Sequence, residues 1–275
     1  MGALEEYQEL LFGVVSGLAQ GIFEWIPVSS KTILLLLFYW MGFSPSTAYL
    51  LGLFLNGSTA AAAIIYFRKD VLKILKGLRS SGEGRRLLIF LTLSTLATGV
   101  TAAPLAGFVA GGLEFLDKVS MLMIGFLYVL MSVLLWIRER MIVKAGSAGF
   151  SPFRDGVLAG LAQGFSALPG VSRSGVTILA LLALGHHPLA ALKLSFLMSI
   201  PATLGGMIYV ALIHEQAVIT APPLILASSS ITAITSSILM IALLLKASKK
   251  LKPHLLTLIL ALITILTALT PTQSI

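Results

Sequence analysis

Residues 17–21 read Gly-Leu-Ala-Gln-Gly, and residues 160–164 read the same five again. The offset of 143 (160 against 17) also carries Gly13 onto Gly156, Gly42 onto Gly185, Pro45 onto Pro188 and Tyr66 onto Tyr209, without a gap. An internal duplication constrains the fold strongly, because whatever one copy builds the other must be able to build as well. Each copy opens with an apolar stretch, 10–41 and 151–187, that is interrupted near its middle. The first interruption is Pro27-Val28-Ser29-Ser30-Lys31, and the second is Pro169-Gly170-Val171-Ser172-Arg173-Ser174-Gly175.

The solvent of such a chain follows from its composition. With 57% hydrophobic and 11% charged residues and a mean hydropathy of +0.99, it has too few polar side chains to cover a soluble domain of 275 residues. A bilayer is the environment that fits. The formal charge of +8 comes from Lys and Arg grouped in short clusters between apolar runs, as in juxtamembrane segments, so no nucleic-acid partner is expected. The absence of cysteine excludes disulfides, thiolate nucleophiles and Cys-ligated metal sites. Glu5, Glu6 and Glu9 stand where a signal peptide needs basic residues, so no cleaved leader is expected.

About 20 apolar residues cross the hydrocarbon core. Candidate crossings are 46–66, 87–110, 117–137, 188–213, 222–246 and 253–269. The two interrupted stretches read instead as re-entrant hairpins, because irregular backbone at membrane depth survives only inside protein or beside a wet cavity. Three basic clusters then fall on one face, taken as cytoplasmic: Arg68 to Arg86, Arg138 to Lys144, and Lys246 to Lys252. Three crossings per copy is an odd number, so the copies should be inverted relative to each other. The expected fold is an all-α, multi-pass plasma-membrane protein of six transmembrane helices and two re-entrant hairpins in an inverted repeat. Its parts are a first repeat over 1–137, a cytoplasmic linker over 138–150 and a second repeat over 151–275. The oligomeric state stays open, a homodimer included.

Glycines four apart, Gly13, Gly17, Gly21 and Gly156, Gly160, Gly164, suit close helix approach in lipid. Their presence in both copies suggests that the two first half-helices cross each other there, bringing the polar turns together. A Pro followed by small hydroxyl residues ends one half-helix and starts another, and the positive end of the new one favours anions. Arg173 adds a guanidinium at a depth where charge is costly without a partner, either an anionic ligand or Glu24. Ser29, Ser30, Ser172, Ser174 and Thr177 supply donors suited to phosphate oxygens. Glu24, whose repeat mate is Ala167, cannot belong to the shared scaffold and is the candidate for asymmetric chemistry, as a base for a serine or a ligand for a divalent cation. Gln20 and Gln163 occur in both copies, so a shared structural hydrogen bond is their simplest role. Lys31 either neutralises a phosphate or snorkels to the interface. Asp155 is expected to be solvated near a membrane boundary, and His186 and His187 to be loop residues.

With these residues in view, the chain resembles the undecaprenyl-diphosphate phosphatase family, the bacitracin-resistance proteins, over nearly its whole length. Glu24-Trp25-Ile26-Pro27-Val28-Ser29-Ser30 is similar to that family's E-[FW]-[IL]-P-V-S-S stretch, and Pro169 to Gly175, with Thr177, is similar to its P-G-x-S-R-S-G signature. The resemblance implies hydrolysis of a polyprenyl diphosphate to the monophosphate, recycling a lipid carrier of the cell envelope, with Mg2+ or Ca2+ as cofactor. Carried over residue by residue, it implies that Glu24, Ser29, Ser30, Ser172, Arg173, Ser174 and Thr177 form the diphosphate site; together with the reading of the residues themselves, the expected catalytic residues are Glu24, Ser29, Ser30 and Arg173, the metal ligand Glu24, and the substrate-binding residues Gln20, Lys31, Ser172, Ser174, Gly175 and Thr177. Two positions depart from the family: Gln20 stands where many members carry Glu, and Lys31-Thr32-Ile33 replaces Thr-Gly-His, leaving Ile33 at the histidine position. A polyprenyl-phosphate transporter on the same scaffold is the competing reading.

Overall fold

The structure is a computed structural model that describes residues 2–109, 126, 129, 130, 132, 133, 136, 149–167, 171–250 and 253–269. Every regular element among them is helical: α1 (Gly2–Phe23), α2 (Ser30–Trp40), α3 (Pro45–Tyr66), α4 (Arg68–Lys76), α5 (Glu83–Val109), α6 (Pro152–Gly164), α7 (Arg173–Ala183), α8 (Pro188–Ile213), α9 (Glu215–Ile219), α10 (Pro223–Lys250) and α11 (Pro253–Leu269). A 3-10 turn, Phe165–Ala167, follows α6. Among the described residues, three segments are long and apolar enough to cross a membrane: Ser46–Tyr66, Pro188–Ile213 and Pro223–Lys250. The expected crossing over 117–137, the linker over 138–150, the second basic cluster, Lys252, Pro169 and Gly170 lie wholly or mainly outside the described residues.

Local sequence accounts for where the helices start and stop. Pro begins α3, α6, α8, α10 and α11, where its missing N–H would have no helical acceptor and its fixed φ is already helical. Helices α2 and α7 end alike. Gly42 (φ 90°) and Gly185 (φ 89°) take the left-handed conformation after the last turn. Gly42 N–H donates to Tyr39 and Phe43 N–H to Phe38; Gly185 N–H donates to Leu182 and His186 N–H to Leu181. These residues are repeat mates, so the duplication extends to the hydrogen bonds of a helix terminus.

The described helices form two compact units, and each draws on both halves of the sequence. One contains residues 1–25, 29–68 and 199–242; the other contains 26–28, 69–198 and 243–275. In the first unit, Leu34, Phe38, Leu51, Leu55 and Ile225 form a buried cluster, with Phe12 and Phe43 meeting Phe38 edge to face. Here the glycine ladder of α1 lies on α10. A Cβ on Gly17 would come within 2.9 Å of Ser229 Cα, and one on Gly21 within 2.6 Å of the Ala233 carbonyl oxygen. Ser16 and Ser229 share a 2.8 Å hydrogen bond across this seam.

In the second unit the ladder of α6 lies on α5 in the same manner. A Cβ on Gly156 would come within 2.9 Å of the Phe90 carbonyl oxygen, and one on Gly160 within 2.7 Å of Ser94 Cα. Thr98 and Thr101 donate to the carbonyls of Gly160 and Leu161. The two seams correspond residue by residue, at a constant offset of 135 (225 against 90, 229 against 94, 236 against 101). This corrects the expectation that the ladders bring the two first half-helices onto each other. The absent side chains make room for α10 and α5, whose own small residues let backbone meet backbone where lipid gives no hydrophobic drive.

The basic segment after α3 holds a helix that hydropathy does not reveal. Gly77 and Gly84 clamp α4 against the start of α5, since a Cβ on Gly77 would lie 2.5 Å from the Arg85 nitrogen. Asp70 of α4 pairs with Lys193 at 2.8 Å, and Lys73 with Glu83 at 3.2 Å.

Gly17→Ala and Gly160→Ala should each destabilise the protein by about 1–3 kcal/mol through overpacking against backbone. Gly99→Ala, where no atom lies within 4 Å of the new Cβ, should not. Thermal unfolding midpoints in detergent would show both ladder variants below Gly99→Ala, and equal midpoints would contradict the packing described.

Candidate active site

The first polar turn begins where α1 stops at Phe23. Glu24 still closes a helical bond, its N–H donating to the Gln20 carbonyl at 3.1 Å, and the chain then turns through Trp25 to Val28. Pro27 cannot donate a helical bond, and Ser29, in an extended conformation, occupies the N-cap of α2. Gln20, Glu24, Ser29 and Ser30 are all buried, and Lys31 is half-buried on the first turn of α2.

The carboxylate of Glu24 organises this turn within the first unit. Ser30 Oγ donates to Glu24 Oε2 at 2.6 Å, and Gln20 Nε2 donates to the same oxygen at 3.2 Å. The Gln20 amide also donates to Asn56 Oδ1 of α3 at 2.5 Å. A hydroxyl held on a buried carboxylate is the arrangement of a nucleophile beside its base. The Gln20 carbonyl oxygen is buried and receives no hydrogen bond from the described residues.

The second turn, in the other unit, is organised by a backbone carbonyl. Ser172 is the N-cap of α7 and accepts from Gly175 N–H at 3.2 Å. Ser174 Oγ donates to the Ile26 carbonyl oxygen at 2.8 Å, Ser172 Oγ donates to it at 3.3 Å, and the two hydroxyls lie 3.1 Å apart. Residues 26–28 belong by packing to this unit, and Pro27 sits against Gly175, where a Cβ would come within 3.3 Å of it. Gly175 therefore has a packing reason to be glycine. Arg173 is buried, and its Nη1 donates to the Ser195 carbonyl at 3.5 Å. Thr177 shares a 2.5 Å hydrogen bond with Ser195 Oγ and donates to the Arg173 carbonyl at 2.9 Å.

Thus Gln20, Glu24 and Ser30 are joined in one hydrogen-bonded group, and Ser172, Ser174 and Gly175 in another around Ile26 and Pro27. Sequence reasoning missed Asn56 and Ser195. The available signal was a polar residue in the middle of an apolar helix, which lipid tolerates only when it is turned inward. Two further expectations are corrected. Gln20 and Gln163 do not share one structural bond, since Gln163 Nε2 donates to Thr98 Oγ1 at 3.0 Å while Gln20 reaches Glu24 and Asn56.

The second correction concerns Asp155, which is fully buried rather than solvated. Its carboxylate accepts from Ser151 N–H at 2.9 Å and from Arg154 Nε at 2.8 Å, and lies 2.9 Å from His186 Nε2. His186 is likewise buried, with its ring edge-on to Phe150. The carboxylate sits in the first turn of α6, where the helix end is positive, and ties that end to the turn after α7. The sequence distance of 31 residues hid the pair.

Residues 13–266 match the family described as bacitracin resistance protein BacA. The chain is 42% identical over 202 residues to an undecaprenyl-diphosphatase of Saccharolobus islandicus (strain M.16.4 / Kamchatka #3), covering 72% of each chain. It is 40% identical over 222 residues to one of Pyrobaculum aerophilum, covering 79% of this chain and 82% of the relative. It is 38% identical over 268 residues to one of Saccharolobus solfataricus, covering 94% and 96%.

Asp155→Ala would leave a buried histidine and a helix N-terminus without their acceptor, and should cost about 3 kcal/mol. A thermal midpoint equal to that of the unaltered protein would show that the cluster carries no such weight.

Proposed function

This chain belongs to the bacitracin resistance protein BacA family, and from that premise we propose that it hydrolyses undecaprenyl diphosphate to undecaprenyl phosphate and inorganic phosphate, recycling the lipid carrier of the cell envelope. The observation that carries the reading is the 2.6 Å bond from Ser30 to Glu24, two residues on either side of a Trp-Ile-Pro-Val-Ser turn whose Ile26 and Pro27 pack on Ser172, Ser174 and Gly175. Chain connectivity places the hydroxyl–carboxylate pair within a few residues of Ile26 and Pro27.

In this reading the N-terminal ends of α2 and α7, Ser29, Ser172, Ser174, Thr177, Lys31 and Arg173 bind and orient the phosphates. The Ser30 oxygen bonds to the terminal phosphorus and its proton passes to Glu24. The bond from that phosphorus to the bridging oxygen breaks, and undecaprenyl phosphate leaves. Water then cleaves the phosphoserine, releasing inorganic phosphate and restoring the hydroxyl. Phosphoryl transfer depends chiefly on positioning and charge neutralisation, so such a site tolerates isoleucine at position 33.

The oxygen donors here fit a divalent cation. Among the described residues no cluster of three His, Cys, Asp or Glu forms a complete protein cage. The buried, unbonded Gln20 carbonyl oxygen beside Glu24 offers one neutral and one anionic oxygen, the partial set that magnesium takes together with substrate phosphates. Glu24 and Gln20 would hold the ion, which would supply charge neutralisation.

The proposal extends to topology: six crossings and two re-entrant hairpins in an inverted repeat, in the plasma membrane. Helices α2, α6 and α7, with 11, 13 and 11 residues, are roughly 16–20 Å long, short of the ~30 Å hydrocarbon core. The equivalence of the two glycine seams supports a repeated scaffold.

Purified protein given undecaprenyl diphosphate should release inorganic phosphate, lose that activity on chelation of divalent metal and regain it with Mg2+ or Ca2+. Glu24→Gln and Arg173→Ala should each slow release by at least ~100-fold, roughly 2.7 kcal/mol of transition-state stabilisation. Full activity in both variants would overturn the site, and lipid translocation in proteoliposomes without phosphate release would replace the enzyme with a carrier.

A further inference from the structure

We propose that Asn56 is a positioning residue for the reaction, fixing the Gln20 amide so that it serves Glu24. The inference rests on the hydrolase reading above. Its basis is a hydrogen-bond chain whose directions are dictated by chemistry. An ionised Glu24 only accepts, so the Gln20 atom facing it must be the NH2 group. That same nitrogen also faces Asn56, which must therefore present its carbonyl oxygen. Ser30 closes the chain from the other side by donating to the same Glu24 oxygen. Once Asn56 holds the amide in this orientation, the Gln20 carbonyl oxygen stays buried without a donor among the described residues. Rotation of the Gln20 amide would set its oxygen against the Glu24 carboxylate, and Asn56 holds the amide nitrogen in place from α3.

The duplication explains why a glutamine common to both copies has a special role in only one. The repeat mate of Glu24 is Ala167, and the mate of Asn56, 143 positions on, is Ser199. Both partners of Gln20 are therefore peculiar to the first copy. Gln163, in the same Gly-Leu-Ala-Gln-Gly context, has neither and donates to Thr98 of α5 instead. Asn56 is buried in an apolar helix, where an amide is costly unless bonded, yet Thr59 bonds only to its backbone carbonyl. Helix packing at this position is met by serine in the other copy, so packing alone does not call for asparagine.

The test is Asn56→Ser, which installs the residue of the other copy and is too short to reach Gln20. Phosphate release from undecaprenyl diphosphate should show kcat reduced about 10–100-fold with KM within about threefold, at a thermal midpoint close to that of the unaltered protein. Asn56→Asp, which keeps an acceptor oxygen in place, should recover kcat to within about fivefold. In a double-mutant cycle, Asn56→Ser combined with Gln20→Met should be no slower than Gln20→Met alone, because both remove the same link. Thr98→Val, which breaks the corresponding bond of Gln163, should leave kcat unchanged. If Asn56→Ser does not fold, Asn56→Leu is read by the same criteria. Unaltered kcat in the serine or leucine variant, or losses that multiply in the cycle, would overturn the assignment of Asn56. Absence of phosphate release from the unaltered protein would instead overturn the hydrolase reading.

Discussion

A carbonyl oxygen that has left its helix cannot stay unpaired in a low-dielectric interior, and the Ile26 carbonyl meets that demand by accepting from Val28 N–H, Ser174 and Ser172. Much of what surrounds the second turn follows from this bond. Ser172 both caps α7 and reaches Ile26, and a side chain on Gly175 would press on Pro27, its Cβ coming within 3.3 Å. The broken segments are therefore not weak points in apolar helices. They are places where hydroxyls replace the backbone partners that a continuous helix would supply, and the same hydroxyls are the groups best suited to phosphate oxygens.

Packing of the helices rests on a related economy. In α5 and α10, Ser and Thr side chains bond back to carbonyls a turn earlier, as Thr98 does to Ser94 and Ser228 to Leu224. This keeps their polarity satisfied while leaving a narrow surface on which the glycine ladders of α6 and α1 can lie. The ladders, the left-handed glycines and the proline starts at Pro45 and Pro188, which both copies share, build the frame. Whatever only one copy has, Glu24, Asn56, Arg173 and Asp155, either carries the proposed reaction or ties one helix end to its neighbour.

Much of this was legible in the residues themselves. The extents of helices α8 and α11 match the apolar stretches read at 188–213 and 253–269, because proline fixes their starts and apolar length fixes their reach. The pairing of Ser30 with Glu24 was open to the same reading, being local in sequence. The partners of the glycine ladders, the burial of Asp155 and the role of Asn56 were not legible. Each depends on a residue 31 or more positions away, and hydropathy records how apolar a segment is without recording what it faces. Helix α4 was hidden for the opposite reason, since its basic residues lower the hydropathy of a short amphipathic helix that packs beside the start of α5.

The sequence alone determined the solvent, the duplication, the places where helices break and the family of the chain, because these depend on composition, short-range backbone chemistry and motif identity. Tertiary structure decided which helix each glycine ladder meets, which carbonyl the serines of the second turn satisfy and which way the Gln20 amide points. Those choices are made through space, by close backbone approach and by the obligation of every buried donor and acceptor to find a partner, and no linear pattern specifies them.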